Sequence, residues 1–89
     1  MAFVYLLISE NTKKKLSYVG WTMNIEKRLI LHNSGNGAKF TKGRKWKLIY
    51  YEYFSNKNEA MKREYYLKKN YKLRKEIKEI YTRSKYSEK

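Results

Sequence analysis

The sequence predicts an α+β fold: three short strands, antiparallel at least in the first hairpin, with three helices around them, in the order strand, strand, helix, strand, helix, helix. Three observations predict it. Residues 2–9, 16–21 and 46–54 are runs of apolar, aromatic and β-branched residues of strand length. The stretches beginning near residues 25, 57 and 71 space apolar residues three and four apart. Two of them follow an asparagine suited to a helix N-cap. At 89 residues the chain makes one domain with a small core, and no cysteine is present to reinforce it.

Taken in order, Ala2 to Ser9 reads as a buried strand, and Glu10 to Lys15 as a polar turn. Leu16 to Trp21 is the return strand of a hairpin. Thr22 or Asn24 caps a helix running to about Asn33. Ile25 and Leu29 mark its core face, while Arg28 and His32 stand four apart on another. Ser34-Gly35-Asn36-Gly37 ends that helix, and a basic loop follows with Lys39, Lys42, Arg44, Lys45 and Lys47. Trp46 to Phe54 is the third strand. Asn56, with Glu59 three residues on, opens a second helix ending at Lys69 or Asn70. Residues 71–81 form the third helix on a Leu73, Ile77, Ile80 stripe. The domain is expected to span 1–81, with 82–89 as a frayed polar tail.

Composition narrows the chemistry. The formal net charge is +14, with 22 Lys+Arg against 8 acidic residues, and all eight are glutamates. That balance favours a nucleic-acid partner over an anionic membrane surface. Ten tyrosines interleaved with the basic residues suit a groove that tracks phosphates. Without aspartate, paired-aspartate metal sites are excluded. Without cysteine, thiol catalysis and Cys-ligated zinc are excluded. One histidine, His32, excludes histidine clusters. No apolar run is long enough to cross a membrane. The lack of cysteine fits a reducing, cytoplasmic setting.

Five residues could converge on a reaction. Glu64 shares a helix face with Ala60 and Leu67, so a carboxylate lies on an apolar stripe of a basic protein. Tyr5 lies on the first strand, Tyr18 on the second just before Val19-Gly20, and Arg28 and His32 on the first helix. Metal-assisted phosphodiester cleavage needs this set. A carboxylate holds a divalent ion, an arginine neutralises charge growing on phosphoryl oxygens, and a tyrosine or histidine accepts a proton from water. Singly, each has a plainer use: the tyrosines as core, Arg28 as a surface charge, His32 as a structural residue, and Glu64 as an i,i+4 partner of Lys68.

These residues, in this order, resemble the GIY-YIG nuclease superfamily, and within it the small single-domain bacterial branch similar to the N-terminal domain of the repair incision nuclease UvrC. Phe3-Val4-Tyr5 resembles the first motif and Tyr18-Val19-Gly20 the second. The run Thr22 to Leu29 with His32-Asn33, the loop Gly37 to Arg44, and Ala60-Met61-Lys62-Arg63-Glu64 resemble the segments that follow. The resemblance covers residues 2–75. It implies the three-stranded antiparallel sheet and a metal-dependent endonuclease acting on DNA, with RNA as the alternative substrate. It further implies that the enzyme is structure-selective and linked to repair or recombination. Tyr5 and Tyr18 would line the site, Arg28 would bind the scissile phosphate, and His32 would hydrogen-bond a tyrosine or relay a proton. Glu64 would hold one weakly bound Mg²⁺ or Mn²⁺ ion. Lys39, Lys42, Arg44, Lys45, Lys62, Arg63, Lys68 and Lys69 would contact backbone phosphates, as would Lys72, Arg74 and Lys75. Three positions depart from the family pattern. Phe3 stands where glycine is usual, Trp21 where some relatives carry lysine, and Glu76 where some carry asparagine. Two alternatives stand beside the enzyme: a nucleic-acid-binding module without catalysis, and a subunit activated by a protein partner.

Overall fold

The computed structural model of the protein describes residues 1–9 and 16–87. Its elements are β1 (Ala2–Ser9), β2 (Leu16–Thr22), α1 (Ile25–Ser34), β3 (Lys47–Phe54), α2 (Lys57–Lys69) and α3 (Tyr71–Ser87). The α+β class and the element order are those the sequence predicts. The polar turn expected over 10–15 lies outside the described residues.

The sheet is antiparallel throughout, in the order β2-β1-β3. β1 is the middle strand and is covered on both faces, which is why it reads as a continuous apolar run rather than an alternating one. Its residues part by pleat. Ala2, Val4 and Leu6 form one core with Val19, Ala60 and Leu67, and Leu73 and Ile77 of α3 pack against it. Tyr5 and Leu7 form the opposite core with Trp46, backed by Leu16, Tyr18, Leu29 and Leu48. The β1–β3 ladder slips between Leu6, opposite Tyr50, and Leu7, opposite Leu48. Ile49 is the extra residue of this irregularity and turns to the α2 side with Tyr50.

Local signals set the helix ends. Asn24 caps α1, its side chain accepting from the Lys27 N–H at 3.1 Å. Gly35, at φ 85°, closes it in the left-handed conformation that a side chain disfavours. Asn56 caps α2 through the Glu59 N–H at 2.9 Å. At the α2–α3 junction Asn70 Oδ1 accepts from the Leu73 N–H at 3.0 Å, and the Asn70 amide donates to the Tyr66 hydroxyl at 3.0 Å.

Several expectations change in the folded molecule. Ile25 and Leu29 are only half-buried, and the fully buried residue of α1 is His32. The face α1 covers is already filled by aromatic rings, so the helix docks through an imidazole that bonds to them. β3 begins at Lys47 rather than Trp46, because the Trp46 side chain turns into the core and its indole N–H donates to the Thr41 carbonyl at 2.9 Å. α3 runs to Ser87, beyond the expected end near residue 81. No glycine or proline follows Gly43 to stop it, and Thr82 donates to the Lys78 carbonyl inside the helix. The helix outruns the apolar surface beneath it, so Ile80 is 58% exposed instead of completing the core stripe.

Candidate active site

Tyr5 anchors the site. It points from the middle strand to the α1 face, and directly opposite it in the ladder stands Gly20. A Cβ at position 20 would collide with the Tyr5 hydroxyl and sit 2.6 Å from Cζ. Gly20 therefore lets the phenol lie across β2, a close approach rather than a strand end. The Tyr5 hydroxyl hydrogen-bonds His32 Nε2 at 2.8 Å. The Tyr18 ring flanks the pair, 4.9 Å from the His32 ring and 6.4 Å from that of Tyr5. Both His32 and Tyr5 are almost wholly removed from solvent.

Arg28 of α1 and Glu64 of α2 both bear on the acidity of Tyr5. Burial pushes the Tyr5 phenol up to about 12, hydrogen bonding and charge from Arg28 pull it down, and the charges of Tyr18 and Glu64 raise it. Arg28, Tyr18 and Glu64 all bias the acidity of this one phenol, and the rings of Tyr5, Tyr18 and His32 lie against one another. His32 is pushed below its usual value, first by burial and then by the Arg28 charge, so the imidazole is neutral at pH 7. Arg28 Nε is buried and, among the described residues, has no hydrogen-bond partner. Glu64 sits at the rim of the α2 core stripe, its side chain 19% exposed, with Lys68 Nζ at 3.6 Å. That loose i,i+4 pair is worth a few tenths of a kcal/mol at about room temperature. Among the described residues no three His, Cys, Asp or Glu side chains cluster to hold a metal, and Glu64 is the one carboxylate acting on Tyr5.

The phosphate-contact expectations divide. Lys39, Lys42 and Lys45 are exposed on the basic loop and Arg44 is half-buried; Lys62, Lys68 and Lys69 are exposed on α2. Lys69 Nζ lies 4.4 Å from the Tyr65 ring centroid. Arg63 differs. Its guanidinium is bidentate on Glu52, Nε to Oε1 at 2.7 Å and Nη2 to Oε2 at 2.9 Å, and it lies over the Tyr66 ring. Glu52 stands opposite Val4 on the face α2 covers, so its half-buried carboxylate requires a partner. Arg63 supplies it and holds the Glu52 carboxyl below the usual range. The Tyr50 hydroxyl donates to Glu52 as well. Arg74 is likewise committed, donating to the Leu67 and Lys68 carbonyls at the end of α2.

Other residues surround the site to which the sequence assigned no role. Thr41, fully buried in the basic loop, meets His32 Nδ1 at 2.9 Å. Asn33, near the end of α1, clamps Trp46: the Trp46 N–H donates to Oδ1 at 2.6 Å, and Nδ2 donates to the Trp46 carbonyl at 3.2 Å. Gly37 packs so closely that a Cβ there would strike the His32 ring. Phe40 stacks on Tyr18 with 18° between ring planes. Phe3, in the place of the family's usual glycine, packs edge-on against Tyr51 and Tyr53.

The GIY-YIG catalytic domain model matches residues 1–78. A UPF0213 protein of Clostridium perfringens is 53% identical over 70 residues, covering 78% of this chain and 72% of that protein. A UPF0213 protein of Staphylococcus haemolyticus is 46% identical over 67 residues, covering 74% and 78%. The solution NMR structure of a UPF0213 protein of Bacillus halodurans aligns with a TM-score of 0.47 at 37% identity, covering 85% of this chain and 80% of that one. The matched span takes in every strand, α1 and α2, and with them Tyr5, Tyr18, Arg28, His32 and Glu64. On the strength of that span, the chain belongs to the GIY-YIG catalytic domain family, a nuclease-type domain.

Proposed function

We propose that the protein is an endonuclease that hydrolyses DNA phosphodiester bonds with one Mg²⁺ or Mn²⁺ ion. In this reading it selects its substrate by shape and charge and serves DNA repair or recombination. One observation carries the reading: the Tyr5 hydroxyl bonds His32 Nε2 with the Tyr18 ring beside the pair, and Arg28 and Glu64 both shift the acidity of that phenol. Glu64 suits such an ion because its carboxylate is a hard oxygen donor at the rim of the site. A single carboxylate completed by water and substrate phosphate is a usual arrangement for Mg²⁺. The ion, when bound by Glu64, supplies positive charge to the phosphate and the leaving oxygen. The protein's own residues do the rest. Arg28 brings an unpaired, buried N–H and a full charge to a non-bridging phosphate oxygen. Tyr5 is too weakly acidic to work as a phenolate. Instead, its oxygen takes a proton from the attacking water as its own hydroxyl proton passes to neutral His32 Nε2. Tyr18 walls the imidazole on the other side and positions the water. The exposed lysines of the basic loop and α2 hold the flanking backbone.

The test is cleavage of duplex, flap and junction DNA by the purified protein with Mg²⁺ or Mn²⁺. Glu64→Gln and Arg28→Ala should each lower the rate by about 100-fold or more while the circular dichroism spectrum is unchanged. Absence of cutting on every substrate would sink catalysis by the isolated domain. A second reading, a DNA-binding module without catalysis, draws on Glu76 replacing the family's asparagine and on Asn70 being spent at the helix junction. Under that reading binding survives Glu64→Gln and no substrate is cut.

A further inference from the structure

We propose that Thr41 is a positioning residue for this reaction, its hydroxyl fixing the His32 proton on Nδ1 so that the Nε2 lone pair stays turned toward Tyr5. The proposal rests on the roles given above to Tyr5 and His32.

Hydrogen-bond accounting assigns the tautomer. A threonine hydroxyl has one proton and two lone pairs. Thr41 Oγ1 lies 3.1 Å from the Ala38 nitrogen, 2.9 Å from the Ala38 carbonyl oxygen and 2.9 Å from His32 Nδ1. The Ala38 N–H can only donate, so it takes one lone pair. If the hydroxyl proton goes to the Ala38 carbonyl, the second lone pair accepts from Nδ1–H. Nε2 is then an acceptor and receives the Tyr5 hydroxyl proton at 2.8 Å. Every group is used. In the reverse arrangement Thr41 donates to Nδ1, Nε2–H donates to Tyr5, and the buried Tyr5 proton loses the acceptor it has at 2.8 Å. One Thr41 lone pair is also idle. Unsatisfied buried groups are the costly outcome, so the first arrangement prevails.

The surroundings hold Thr41 to this task. The indole N–H of Trp46 ties down the Thr41 carbonyl, and Asn33 of α1 ties down the Trp46 backbone. Gly37 leaves no room beside the imidazole. The basic loop is built around the ring rather than passing it, with Thr41 at the contact.

The test uses the whole chain labelled with ¹⁵N. Long-range ¹H–¹⁵N correlation spectra at neutral pH read the protonation of each ring nitrogen. Wild type and Thr41→Ser should show Nδ1–H with a bare Nε2, and Thr41→Val should show Nε2–H. On a DNA substrate that the wild type cuts, kcat should fall about 100-fold in Thr41→Val with KM little changed, and recover in Thr41→Ser. A wild-type ring protonated on Nε2, a Thr41→Val ring that keeps Nδ1–H, or a kcat that Thr41→Val leaves intact would each overturn the proposal. If Thr41→Val does not fold, the wild-type and Thr41→Ser spectra carry the test. If the wild type cuts no DNA, the nuclease reading falls and the catalytic role of Thr41 with it, while the spectra still decide where the proton sits.

Discussion

His32 is where a single residue joins the proposed chemistry to stability. Its imidazole is buried without charge between Tyr5 and Thr41, and protonation would place a desolvated charge in the core beside that of Arg28. The folded pKa lies below that of the unfolded chain, about 6.5. Above that pH neither state carries the proton and stability is flat. As pH falls below it, the unfolded chain takes up the proton first, so stability drops until the folded pKa is reached and then levels off. Urea midpoints between about pH 8 and about pH 5 should fall for the wild type and stay flatter for His32→Gln. Parallel curves for the two proteins would refute this. The carboxylate contribution is separate. Glu52, lowered by Arg63, loses its stabilising effect only as pH falls below about 4.3 and toward its lower folded value. At this scale the sequence was informative where chemistry is rare: one histidine, and a glutamate on an apolar stripe, were conspicuous. Thr41 was not, because a threonine in a polar loop looks the same whether it meets solvent or a buried imidazole.

Elements were legible where their causes are local. Asn24 and Asn56 announced helix starts because a cap needs only its own side chain and an N–H three residues on. Asn56→Ala should cost about 1 kcal/mol in chemical denaturation, and Asn56→Ser should recover most of it; an unchanged midpoint in the alanine variant would show that packing alone starts α2. Features set by distant pairing were not legible. The slip at Ile49 depends on how β3 meets β1, and the commitment of Arg63 depends on Glu52 arriving on the face beneath α2. The end of α3 was misjudged for a different reason. Polarity after residue 81 suggested fraying, but a helix without a breaker continues past the surface that supports it.

For the molecule as a whole, charge is the property that acts at a distance. A formal +14 predicts DNA affinity that falls steeply with salt. The structure also says which cations should matter. Lys39→Ala or Lys42→Ala should each reduce the slope of log affinity against log salt by about one. Arg63→Gln should leave that slope nearly unchanged, because its charge is already met by Glu52; an equal effect of Arg63 in filter-binding or fluorescence titrations would contradict that division. The strand order has a consequence for how the molecule forms. β2 follows β1 closely, so their ladder can close early, whereas β3 reaches β1 only after α1 and the basic loop have been crossed. Until it does, the most apolar strand has one bare edge. The sequence contains no proline whose isomerisation could limit the rate. Folding speed is therefore set by the long-range arrival of β3, and the vulnerable interval for a nascent chain lies between the closing of one side of β1 and the closing of the other.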